Sequence, residues 1–151
     1  MSVTCFFIGH RDAPESIYPT LIASIERHIV QYGVEEFLVG RYGAFDRMAA
    51  RAVRQVRRDH PGIRLTLLLA YYSGNVERDV PEGFDGSLYP SGIERVPKRA
   101  AIVYANMRAL QLSRYLIAYN QNHIGNTRNI IACANRLAAK GLMAIDNFAS
   151  Q

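Results

Sequence analysis

Gly125-Asn126-Thr127-Arg128 is a short polar turn set between the apolar run Tyr115–Tyr119 and a helical pattern opening at Asn129. A turn at the join of a strand and a helix leaves backbone N–H groups unpaired beside the positive end of the helix, where a phosphate or carboxylate can sit. Two earlier places repeat the arrangement. Gly9-His10-Arg11-Asp12 follows the apolar run Val3–Ile8, and Gly40-Arg41-Tyr42-Gly43-Ala44-Phe45-Asp46 follows Phe37–Val39. Glycine in these turns permits close backbone approach and positive φ. A phosphate-bearing ligand is the first hypothesis they raise.

The side chains around the turns carry chemistry of the same kind. Arg11 can grip a phosphate with two parallel hydrogen bonds, or pair with Asp12 or Asp46. His10 can cap its turn or touch a ligand. Asp46 can cap the helix that opens after Gly43, or accept from a ribose hydroxyl, and it is the best-placed carboxylate if there is catalysis. Tyr71 and Tyr72 end a further apolar run, Ile63–Ala70, where one ring can stack on a base and the other pack in the core. Asn106 lies inside a helical pattern, where its propensity is poor, which gives it a polar task such as gripping a loop or ligand. Arg41 and Arg128 are further candidates for phosphate contacts. His10, His28, His60 and His123 are too scattered to suggest a metal site, and no cofactor is expected.

These residues need a scaffold, and the apolar pattern supplies one. Val3–Ile8, Phe37–Val39, Ile63–Ala70, Tyr115–Tyr119 and Leu142–Ile145 are short apolar runs of the kind buried on both faces of a parallel sheet. Helical patterns separate them at about 15–32, 44–59, 98–112 and 129–140, with Gly33 and His60-Pro61-Gly62 as stop signals. A long loop with no sustained period covers about 73–97, a length more often functional than idle. The expected fold is a small, doubly wound, Rossmann-like α/β domain: about five parallel strands with helices on both faces. Ligands in such sheets lie at the carboxyl ends of the strands, near the point where strand order reverses. The turns named above share that edge.

Composition sets the outer limits. A chain of 151 residues, 49% hydrophobic and 21% charged, suits a single globular domain over 1–151. No apolar run approaches the ~20 residues of a membrane span, and Met1-Ser2-Val3-Thr4 enters a strand pattern at once, so a cytoplasmic protein without a membrane partner is expected. Cys5 and Cys133 are read as reduced and buried. The formal charge of +5 is concentrated in Arg47, Arg51, Arg54, Arg57 and Arg58, which recur at helical spacing opposite Met48, Ala52, Val53 and Val56. A solvated helix face explains most of them. Single-stranded nucleic acid remains a lesser alternative, because no aromatic platform interleaves the arginines.

Phe7-Ile8-Gly9-His10-Arg11, Gly40-x-x-Gly43-x-x-Asp46, Leu88-Tyr89-Pro90, Asn106-Met107, and Leu116–Tyr119 followed by Gly125-Asn126-Thr127 together resemble the YpsA-like branch of the SLOG superfamily, the SMF/DprA–LOG group. The resemblance spans nearly the whole chain. It implies a Rossmann-like domain for nucleotides or nucleotide-derived molecules; relatives act as phosphoribohydrolases, DNA-binding proteins and sensors of signalling nucleotides. The hydrolases carry a Pro-Gly-Gly-x-Gly-Thr-x-x-Glu motif whose glutamate serves N-glycosidic cleavage. Here no carboxylate follows Thr127 until Asp146. The turn therefore favours binding over chemistry, with Gly125–Arg128 on the phosphate and Gly9–Arg11 and Gly40–Gly43 as the opposite wall. The enzyme alternative is cleavage of a nucleoside monophosphate with Asp46 in place of the glutamate. The helix over 96–112 and the last helix carry more apolar surface than one sheet face covers, so a homo-oligomer is expected.

Overall fold

A computed structural model describes residues 2–71, 80–120 and 125–148; the side chains of 125–127 are outside it. Tyr72, His123 and the first part of the expected 73–97 loop thus lie outside the described residues. The sheet elements are β1 (Thr4–Gly9), β2 (Glu36–Val39), β3 (Arg64–Leu68), β4 (Gly86–Leu88), β5 (Tyr115–Tyr119) and β6 (Ala144–Asn147). The helices are α1 (Tyr18–Tyr32), α2 (Ala44–Val56), α3 (Ala101–Leu112) and α4 (Gly125–Ala139). All pairings are parallel, in the order β4-β3-β2-β1-β5-β6.

This order is the doubly wound one. From β1 the chain steps through β2 and β3 to β4, then crosses back to place β5 on the other side of β1. The reversal falls between β1 and β5, where Gly9 pairs with Tyr119, and ligands of such sheets sit near that point. Alternate strand residues feed two cores, as a sheet covered on both faces requires. Cys5, Phe7, Phe37, Val39 and Leu65 pack with Leu21 and Ile25 of α1 and Met48, Ala52 and Val53 of α2. Phe6, Ile8, Leu38, Leu116 and Ala118 pack with Ala105, Ala109 and Leu110 of α3 and Ile130 and Ala134 of α4. The left-handed Gly33 (φ 70°) ends α1 and donates its N–H to the Ile29 carbonyl at 3.2 Å, the stop its sequence announces.

Three details depart from expectation. The sheet has a sixth strand, β4, inside the stretch read as a loop. One carboxylate anchors it: Asp85 Oδ2 accepts the Leu65 N–H at 2.8 Å and an Arg57 guanidinium N–H at 2.6 Å, while the Asp85 N–H donates to the Leu65 carbonyl at 2.8 Å. Second, α4 begins at Gly125 instead of Asn129, so the polar turn is the helix's own first turn. Third, Cys5 is buried but Cys133 is only half-buried; both are free thiols.

Candidate functional site

The carboxyl edge is built by backbone contacts between neighbouring turns. The His10 N–H donates to the Tyr119 carbonyl at 3.3 Å, and the Ala44 N–H donates to the Arg11 carbonyl at 2.8 Å. The turn after β1 is thereby bonded to β5 on one side and to the turn after β2 on the other. Of the two freedoms that glycine brings to these turns, close approach and positive φ, only the first is used at Gly9, Gly40 and Gly43. Among the described glycines, positive φ belongs to Gly33, Gly83, Gly92 and Gly141, not to Gly9, Gly40 or Gly43. A Cβ on Gly9 would stand 2.4 Å from the Phe45 ring, one on Gly43 2.7 Å from Arg11 Cα, and one on Gly40 3.0 Å from Asp46 Oδ2. The close approach these glycines allow is to the protein's own atoms.

Asp46 occupies the first turn of α2 and turns its carboxylate back over the preceding loop, where Oδ2 accepts the Tyr42 N–H at 3.1 Å. The helix's N-terminal amides receive no side-chain cap from Gly43. The bond to Tyr42 locks the Gly40–Gly43 turn. Enclosure of the carboxyl group raises its pKa to about 6, against the pull of the Tyr42 amide and the Arg47 charge. Near neutral pH this group is a carboxylate within easy reach of its proton.

Arg11, Tyr42, Asp46 and Asn106 converge on one recess between the ends of β1 and β2, floored by Phe7, Ile8, Gly9 and Gly40 and closed by Ile102 of α3. Its volume is about 80 Å³. That is well below the roughly 300–1,000 Å³ of a typical small-molecule site, so the recess holds part of a ligand and not a whole nucleotide. Two buried groups beside this edge are unsatisfied: the Tyr42 hydroxyl, and both side-chain polar atoms of Asn120, which is 1% exposed at the end of β5. Neither has a hydrogen-bond partner among the described residues, and such orphans are uncommon in folded proteins.

Of the residues singled out from the sequence, Gly9, Arg11, Gly40, Gly43, Asp46 and Asn106 line the recess together. His10 does not line it; its ring meets Tyr119 edge-on at 5.7 Å. Tyr71 sits just outside, edge-on to Tyr42 at 6.3 Å with Lys98 Nζ 5.7 Å from its ring centre. Arg41 is exposed and faces a separate cleft along α2. Gly125, Asn126 and Thr127 form the first turn of α4, and Arg128 is exposed on it. Tyr42 and Asn120 are the site residues that the sequence reading passed over. Asn120 carried a signal in being the first of three amide residues, Asn120-Gln121-Asn122, that follow an apolar strand. Tyr42 carried none.

No protein-family model matches the chain, and no curated protein sequence matches it. Solved structures do. DNA processing protein A (DprA) from Streptococcus pneumoniae superposes with a TM-score of 0.64 at 13% identity over 95% of this chain and 49% of that one. This chain therefore spans about half the length of the pneumococcal protein. The molybdenum cofactor binding protein of the phototrophic bacterium Rippkaea orientalis matches with a TM-score of 0.59 at 16% identity, over 96% of this chain and 75% of that one. The Moco carrier protein of Chlamydomonas reinhardtii matches with 0.57 at 16% identity and the same coverage. These likenesses show the fold: the chain has the Rossmann-like α/β architecture that its resemblance implies.

Proposed function

We propose that the chain binds a nucleotide or nucleotide-derived molecule at the carboxyl edge of its sheet. One observation carries this reading: Arg11, Asp46 and Asn106, residues that bear a guanidinium, a carboxylate and an amide, line a single recess next to the reversal of strand order. These groups suit, in turn, a phosphate, a hydroxyl-bearing sugar and the mixed donor and acceptor edge of a base. The recess takes one polar group. The rest of the ligand lies outside it along the carboxyl edge, and the first turn of α4, with Gly125, Asn126, Thr127 and Arg128, offers a second anion position on the far side of β1. Proteins of this fold include a molybdenum cofactor binding protein and a DprA from Helicobacter pylori with a single-stranded DNA binding mode, which supports ligand binding without selecting the ligand.

The test is thermal denaturation with a panel of nucleoside monophosphates. A ligand at a hundred times its Kd stabilises the folded state by about 2.7 kcal/mol, and Arg11→Ala should remove that gain. If no nucleotide raises the Tm and none co-purifies in native mass spectra, the reading fails. A second reading, cleavage of the N-glycosidic bond of a nucleoside monophosphate, is favoured by the raised pKa of Asp46, which suits it to accept a proton near neutrality. Free base released by the protein and not by Asp46→Asn would establish it. We also expect a cytoplasmic homo-oligomer, joined through surfaces that include exposed Leu112 and Leu142, which light scattering measures. Among the described residues no helix is long and apolar enough to cross a membrane.

A further inference from the structure

A second cavity adjoins the recess. It runs along α2, encloses about 410 Å³, and shares Gly40 and Asp46 with the recess. The rest of its wall is Arg41, Arg47, Arg51 and Arg54 with Ala50 and Phe84, and most of the surface they present to the hollow is apolar. Arg51 is bonded to Glu15 and lies 4.2 Å over the Tyr18 ring, while Arg54 lies 5.8 Å over Phe84. These two are braced. Arg41 and Arg47 are exposed and make no ion pair among the described residues. With Arg51 paired to Glu15, the lining still carries Arg41, Arg47 and Arg54 outside any ion pair among the described residues, against Asp46 as its single acid, a surplus of positive charge that an anion would offset. Paired guanidinium forks match the oxygens of successive phosphates.

We propose that this cleft binds a polyphosphate chain, and that the ligand is a nucleoside di- or triphosphate whose tail crosses the Gly40–Asp46 rim from the recess into the cleft. The nucleoside half of the statement rests on the function proposed above; the polyphosphate half rests on the cleft alone. A nucleic acid strand fits less well. The arginine stripe is interrupted at Arg57, whose guanidinium is taken by Asp85 and by the Gly83 carbonyl at 3.0 Å. The ring in the cleft, Phe84, already faces Arg54, which leaves no platform on which a base could stack.

Isothermal titration at constant ionic strength tests both halves with inorganic tripolyphosphate and with each nucleoside monophosphate beside its triphosphate. Tripolyphosphate should bind the wild-type chain one to one and bind Arg41→Ala/Arg47→Ala at least about tenfold more weakly, with Arg58→Ala, beyond the opposite end of α2, as an unaffected control. Triphosphates should bind at least about tenfold more tightly than their monophosphates, and the double variant should erase that advantage. A triphosphate advantage that is absent, or that survives in the double variant, overturns the proposal, as does equal weakening by Arg58→Ala. If no monophosphate binds while tripolyphosphate still depends on Arg41 and Arg47, the nucleotide reading falls and the cleft stands. If monophosphates bind and tripolyphosphate does not, the cleft falls alone. If neither binds, both fall. Tighter binding of a single-stranded oligonucleotide, with a steep salt dependence, replaces the proposal with a nucleic-acid one.

Discussion

Replacing Asp46 by asparagine should make the protein more stable at neutral pH. The carboxyl group is enclosed, and the Tyr42 amide and the nearby charge of Arg47 only partly offset its loss of water, so its pKa rises from the ordinary 3.8 to about 6. A carboxylate whose pKa is higher in the folded chain favours folding when protonated: its contribution is complete below the unfolded value of 3.8 and is lost as pH rises through 6. Ionisation thus costs the folded state about 3 kcal/mol at pH 7 relative to acid. Asparagine keeps an oxygen for the Tyr42 N–H and has no charge to enclose. Urea denaturation followed by circular dichroism from pH 4 to pH 7.5 measures the difference between the two proteins. Asp46→Asn should lead by about 2–3 kcal/mol at the upper end and by only about 0.5 kcal/mol at the lower. Buried His28, whose pKa is lowered by burial, adds an opposite slope, with stability present above 6.5 and lost as pH falls. It acts on both proteins and cancels. A difference that does not change with pH, or a variant less stable at pH 7.5, refutes the reasoning. Greater stability coupled with weaker nucleotide binding would show what the carboxylate is kept for.

Gly43→Ala places a methyl group 2.7 Å from the Arg11 backbone, which cannot swing aside as a side chain would. A loss of about 1–3 kcal/mol is expected, read as a fall in Tm, together with weaker nucleotide binding because the two turns part. Asp85→Ala removes the acceptor for the Leu65 amide and the Arg57 guanidinium; it should cost about 1–2 kcal/mol and raise hydrogen exchange at Leu65 and through β4. Cys5 is fully buried with its pKa raised by burial, so a thiol reagent should modify half-buried Cys133 in the native protein and reach Cys5 only on unfolding.

Much of the scaffold was legible because its signals are local. The run Tyr115–Tyr119 is a strand at those very residues, and Gly33 stops α1 as its sequence announces. β4 was hidden because Gly86-Ser87-Leu88 has no pattern of its own; it becomes a strand through the long-range clamp of Asp85 on Leu65. The site was legible in position but less so in mechanism. Topology brings Gly9, Arg11, Gly40, Gly43 and Asp46 to one edge, as the strand pattern requires. What the three glycines make room for depends on Phe45, Arg11 and Asp46, contacts no spacing rule encodes. Tyr42 reads as an ordinary loop residue until α3 and the β2 turn close around its hydroxyl.

The margins of the sheet have a bearing on how copies of this chain can meet. One margin is β4, three residues long, and the other is β6, four residues long. Strands so short offer an incoming strand few backbone hydrogen bonds, so the sheet is poorly suited to growth by edge pairing and correspondingly protected from fibrous aggregation. The self-association proposed above would then fall to side-chain surfaces, where it is specific to sequence and can be abolished by a point substitution.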